Sequence, residues 1–218
     1  MGFTERARRV RDGQLAHGRR VAALCSCVGL FHPIGHRATL SFLGELAGPY
    51  QHHESALLRA LEKLEASRAV WHEELASYLD ARVRQKRLGR RGPSPGDPPP
   101  SRMGGHWYAS TPDVSRRAAL HALKLWERDL RPDPANREVR SIVRCCIATG
   151  GRLTDEQLDI VSRRRMSAET EEVRWPFTLV VSAGGVAPAL RVQGCSDWVP
   201  RTVARARRSA SSVPGSAV

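Results

Sequence analysis

The stretch His52–Leu88, HHESALLRALEKLEASRAVWHEELASYLDARVRQKRL, decides the fold. Within it Leu57, Leu61, Leu64, Trp71, Leu75 and Tyr78 recur at steps of three and four, with Arg68 interrupting. An α-helix turns once every 3.6 residues, so this spacing lines the six up on one face. Glu62, Glu65, Glu73 and Glu74 fall largely off that face. The stretch therefore reads as one long amphipathic helix. Its stripe is most simply core against the preceding helices. The rival reading makes the same six residues a protein interface, including a homodimeric coiled-coil seam whose register Arg68 would restrict.

Toward the N-terminus, Ala7, Val10, Leu15, Val21, Leu24 and Val28 stand among arginines in a helical pattern that Gly13 and Gly18 weaken or split. A short helix is expected over Arg37–Ala47, stopping at Gly48-Pro49. Toward the C-terminus comes GRRGPSPGDPPPSRMGG, residues 89–105. Its prolines and glycines exclude helix and central strand, so 89–110 reads as a Pro/Gly-rich linker. Asp97 stands where a P-x-x-P ligand would need its first proline, which favours a spacer. The linker separates a helical module, 1–88, from a second module, 111–203.

Thr111-Pro112-Asp113 opens the second module with an N-cap, a first-turn proline and an acid at the positive helix end. Asp133-Pro134 repeats the signal for a helix ending at Gly150-Gly151. Thr154-Asp155-Glu156-Gln157 is a capping box, and Leu153 with Leu158 fits the hydrophobic staple. A short helix is expected after Ser167. Phe177-Thr178-Leu179-Val180-Val181 is rich in β-formers, and Ala183-Gly184-Gly185 followed by Val186–Val192 suggests a small β-hairpin packed on the helices. From Ala204 an Arg-, Ser- and Ala-rich basic tail, 204–218, is expected to be disordered. The fold class is thus mainly α, of the α+β kind.

The 218 residues are 41% hydrophobic, enough for a packed core. No run of about 18 apolar residues exists, so no membrane partner is expected. The basic N-terminus lacks the apolar stretch of a secretory signal, and Arg6 stands where a myristoylation pattern needs Ser or Thr. The close cysteine pairs, Cys25 with Cys27 and Cys145 with Cys146, are poorly spaced for intrapair disulfides, and Cys195 stands alone. A reducing, intracellular location is expected: cytoplasmic in a bacterium, nuclear and/or cytoplasmic for a eukaryotic or viral accessory protein.

Lys and Arg number 35 against 22 Asp and Glu, for a formal charge of +13. Only Lys63, Lys86 and Lys124 are lysines; this bias fits a GC-rich gene, and it also supplies guanidinium groups that bind phosphate bidentately. The cations cluster. Arg82, Arg84, Lys86, Arg87, Arg90 and Arg91 leave the long helix at its negative end; Arg163, Arg164 and Arg165 end the capped helix; Arg201, Arg205, Arg207 and Arg208 lie in the tail. Such tracts can neutralise nucleic-acid phosphates. No aromatics interleave with them, and no nucleic-acid-binding signature is present, so sequence readout is not expected. Leu153–Trp175 only loosely suggests a helix-turn-helix, because its second segment begins acidic.

Cys25, Cys27, His32 and His36 form C-x-C-x4-H-x3-H, four zinc-type ligands within 12 residues. The spacing matches no common zinc module, and buried helical cysteines explain the first pair equally well. A structural zinc is the alternative to no cofactor at all. No G-x-S-x-G, P-loop or H-E-x-x-H occurs, so no catalytic residues are assigned and the chain reads as non-enzymatic. The expectation is a basic regulatory or accessory protein that binds RNA or DNA through backbone phosphates. The alternative is a protein-interaction adaptor or antagonist working through the long helix.

Overall fold

The computed structural model describes residues 2–89, 100–129, 137–168 and 171–184. Among them are eight helices and no strand. α1 spans Phe3–Arg11, α2 His17–Leu30, α3 His36–Ala47 and α4 Glu54–Arg87. α5 spans Pro112–Asp129, α6 Arg137–Ala148, α7 Asp155–Ser167 and α8 Glu171–Ala183.

The breaks follow local chemistry. α1 stops at Asp12, whose Oδ1 accepts from the Gln14 N–H at 2.9 Å in an Asx turn. α3 is bounded by Gly35 at φ 90° and Gly48 at φ 91°, left-handed conformations in which a side chain would be strained. α7 starts with the expected capping box: the Gln157 N–H donates to Thr154 Oγ1 and the Thr154 N–H to Gln157 Oε1.

The expected hairpin is not what forms. Phe177–Val181 lies inside α8, where Pro176, Phe177, Leu179, Val180 and Ala183 are buried at helical steps against α5, α6 and α7. A strand would bury alternate residues instead. Packing on three helices outweighs the β-propensity of Phe, Val and Thr. Pro176 sits in the second turn, where its missing N–H costs one helical bond. Val186–Val192, the expected return strand, lies outside the described residues. So do Arg90, Arg91, Asp133-Pro134, Cys195 and the tail with its arginines.

α1 packs on α2, α3 on α4, and α5 on α8, with α3 also touching α5. Residues 100–110, the far part of the expected linker, are wedged between the two sets of helices. Trp107 and Tyr108 are only 4% and 2% exposed. Trp107 meets Phe42 edge-on at 5.3 Å, and Phe31 lies between Trp71 at 5.6 Å and Tyr108 at 6.2 Å. Trp71 Nε1–H donates to the Pro100 carbonyl at 3.2 Å, and the Gly105 N–H to the Pro33 carbonyl at 2.9 Å. On its other side Gly105 lies so close to α8 that a Cβ would come within 3.0 Å of Thr178 and Ser182. The described parts of the chain on either side of this segment share one core.

Four arginines act as helix stops. Arg20 of α2 donates from Nε to the Val10 carbonyl of α1 at 2.8 Å. Arg59 of α4 donates from Nε and Nη2 to Ala47 of α3. Arg140 of α6 reaches Glu127 of α5, and Arg174 of α8 reaches Ala168 at the end of α7. In each pair, a guanidinium from the second helix satisfies a carbonyl that the first leaves at its negative end.

Candidate nucleic-acid interface

α4 has 34 residues, so it is about 51 Å long at 1.5 Å per residue. Its buried residues run from Ala56 to Ser67 and stop there. Leu57, Leu61 and Leu64 of the stripe belong to the core of this chain and are closed to any partner. Trp71, Leu75 and Tyr78 are half-buried. The last turns carry Arg82, Arg84, Lys86 and Arg87 against one acid, Asp80. Arg82 is half-buried and donates to Gln85 Oε1 at 2.5 Å. Arg84, Lys86 and Arg87 are exposed, and none makes an ion pair with a described residue. Arg90 and Arg91, which would extend the cluster, lie outside the described residues.

Several other guanidinium groups are engaged, although Arg19, Arg102, Arg137 and Arg152 are exposed like the α4 cations. Arg11 pairs with Glu65, Arg117 with Glu45, Arg37 with Asp129 and Arg144 with Glu127. In the second expected cluster, Arg164 pairs with Glu138 of α6 at 3.0 Å, and Arg163 Nε lies 3.4 Å from the Asp159 carbonyl. Arg163 is exposed and Arg165 half-buried. α4 packs on α1, α2 and α3, whereas α7, which carries the second cluster, packs on α8.

The four zinc candidates are not brought together. Cys25 and Cys27 lie two residues apart on α2, which turns their side chains about 200° from each other. Cys27 is fully buried, with Sγ 4.0 Å from the Phe3 carbonyl. Burial pushes its thiol up to about 11 and raises that of Cys25 as well, so both hold their protons at neutral pH. His32 Nδ1–H is placed to donate to the Val28 carbonyl at 3.1 Å, and its ring meets that of His36 edge-on at 6.3 Å. Among the described residues no three His, Cys, Asp or Glu side chains converge on a metal position.

Two features escaped the sequence reading. One is the structural use of Arg20, Arg59, Arg140 and Arg174, which nothing local in sequence marks. The other is Leu79 and Val83 on the outer side of α4, 54% and 49% exposed. With Leu75 they repeat every four residues, a signal the neighbouring Trp71–Leu75–Tyr78 stripe overshadows. The chain matches no protein-family model, no curated protein and no solved structure.

Proposed function

We propose that the protein binds nucleic acid, RNA or DNA, through backbone phosphates, using the basic end of α4. The observation that carries this reading is the exposure of Arg84, Lys86 and Arg87 without acidic partners, beside many other arginines held in ion pairs and caps. The negative end of the helix favours the cations there, and a phosphate backbone supplies the charge they lack. Each phosphate neutralised should add roughly 0.7–0.9 to the log–log dependence of affinity on salt. The triple variant R84Q/K86Q/R87Q should flatten that dependence by about 2 and weaken binding most at low salt. Binding that is independent of salt, or equal in the variant, overturns the reading.

A second reading, a protein-interaction adaptor, draws on exposed Leu79, Val83 and Leu88 of the same region. Nuclease treatment during purification separates the two. It should lower the 260/280 nm ratio of a phosphate binder and leave that of an adaptor unchanged.

A further inference from the structure

We infer that the outer face of α4 pairs with the same face of a second copy of this chain, antiparallel, about a two-fold axis at Leu79. Among the described residues, the exposed large hydrophobics are Leu79, Val83, Leu88 and Ile160, so three of the four lie in the last third of α4 or just past it. Leu75, Leu79 and Val83 are spaced i, i+4 and i+8 and share a face. The neighbouring face, with Trp71 and Tyr78, is partly covered by the chain itself.

The pattern is symmetric about Leu79. When two such helices run antiparallel with Leu79 against Leu79, Leu75 of each copy faces Val83 of the other. Charge selects this direction. Glu73 lies six residues before Leu79; Arg84 and Arg87 lie five and eight after it, on the same flank at 100° per residue. Antiparallel pairing sets Glu73 of one copy beside Arg84 and Arg87 of the other, whereas parallel pairing sets like charges together. Asp80 lies near the axis with Arg84 one turn further along its own helix. A two-fold interface needs a self-complementary patch of this kind; an unrelated partner does not. The segment Glu73–Arg87 is about 22 Å long. Its contact falls at the small end of specific interfaces, so pairing should depend strongly on concentration.

Sedimentation equilibrium on the full chain tests this between about 1 µM and about 200 µM, a range suited to a small interface. The expected result is a mass rising toward twice that of the monomer. Leu79→Asp should weaken association at least tenfold while leaving the helical circular dichroism unchanged, since Leu79 is exposed. Leu79→Cys should give a covalent dimer under mild oxidation that neither the native chain nor Leu88→Cys gives, because residue 88 faces the opposite side of the helix. A chain monomeric throughout the range, a dimer indifferent to Leu79→Asp, or no covalent dimer from Leu79→Cys overturns the inference. Leu79→Asp keeps every cation of the α4 end and releases Arg84 and Arg87 from Glu73 of the other copy, so retained, salt-dependent nucleic-acid binding by the monomeric variant reads the phosphate proposal separately.

Discussion

Individual residues show where this chain keeps its charge. Arg20 is 4% exposed, holds the Val10 carbonyl and pairs with Glu54 at 2.9 Å. Arg20→Met would fill much of the same space but leave a buried carbonyl unsatisfied. The expected loss is about 2 kcal/mol in urea unfolding, and Arg84→Met, at an exposed unpaired site, should lose almost nothing. Histidines set a pH dependence. His121 donates from Nδ1 toward Glu45 at 3.3 Å, and its Nε2 is buried without a partner. A second proton would have to sit on that nitrogen, and burial lowers the His121 pKa below 6.5 despite the nearby carboxylate. His32 is lowered in the same way by burial, with smaller contributions from His36 and Arg102. A depressed histidine binds its proton more readily when unfolded, so stability is intact above pH 6.5 and falls as pH drops toward the folded pKa. Melting temperature should decline below pH 6.5. His121→Asn, which keeps the donor toward Glu45 and cannot take up a proton, should reduce that decline.

At the level of elements, helix ends are specified tightly and helix interiors less so. α6 stops at Gly150 and Gly151, both left-handed at φ 63° and 83°. Nothing lies within 4 Å of a Cβ at Gly150, whereas one at Gly151 would come within 2.6 Å of the Ala183 carbonyl in α8. Gly150→Ala should therefore cost about 1 kcal/mol from its backbone alone. Gly151→Ala should cost at least about 3 kcal/mol, since backbone must also shift. Thermal unfolding of the two variants side by side checks the difference. These stops were legible because glycine, proline and capping residues act through neighbouring backbone: Gly48-Pro49, Thr154–Gln157 and Gly150-Gly151 all mark ends where expected. Phe177–Val181 is ambiguous in sequence because a short apolar run rich in β-formers suits a strand or a buried helix, and what decides is packing against α5, α6 and α7, which arises far away in sequence. The α4 stripe was legible as helix. Its division into a core half and a half-covered half was not, since that depends on where α1, α2 and α3 end.

For the whole molecule, the segment 100–110 joins the two sets of helices. Its composition reads as spacer, yet Trp107 and Tyr108 occupy the seam that Phe31, Phe42 and Trp71 leave open. Glycines permit the close passage against α8, and the aromatics behind them supply apolar area. The net charge is likewise a poor guide until it is resolved by place. Caps and ion pairs hold many arginines inside the architecture, and the α4 end keeps three cations exposed. Of the candidate site, the basic run was legible because it is local. The divergence of Cys25 from Cys27 depended on helix geometry, and the engagement of Arg164 by Glu138 on packing. If the seam joins α1–α4 to α5–α8 as closely as its contacts require, the two sets should unfold together. Tryptophan fluorescence and far-UV circular dichroism should then give one coincident urea transition. Trp107→Ala removes the ring that meets Phe42 and should lower stability by about 3–5 kcal/mol, read as a lower urea midpoint. At moderate urea it should also split the transition, as the two sets lose their common core. A native chain that already unfolds in two separated steps would mean that the seam couples them weakly, and Trp107→Ala would then shift neither step by more than about 1 kcal/mol.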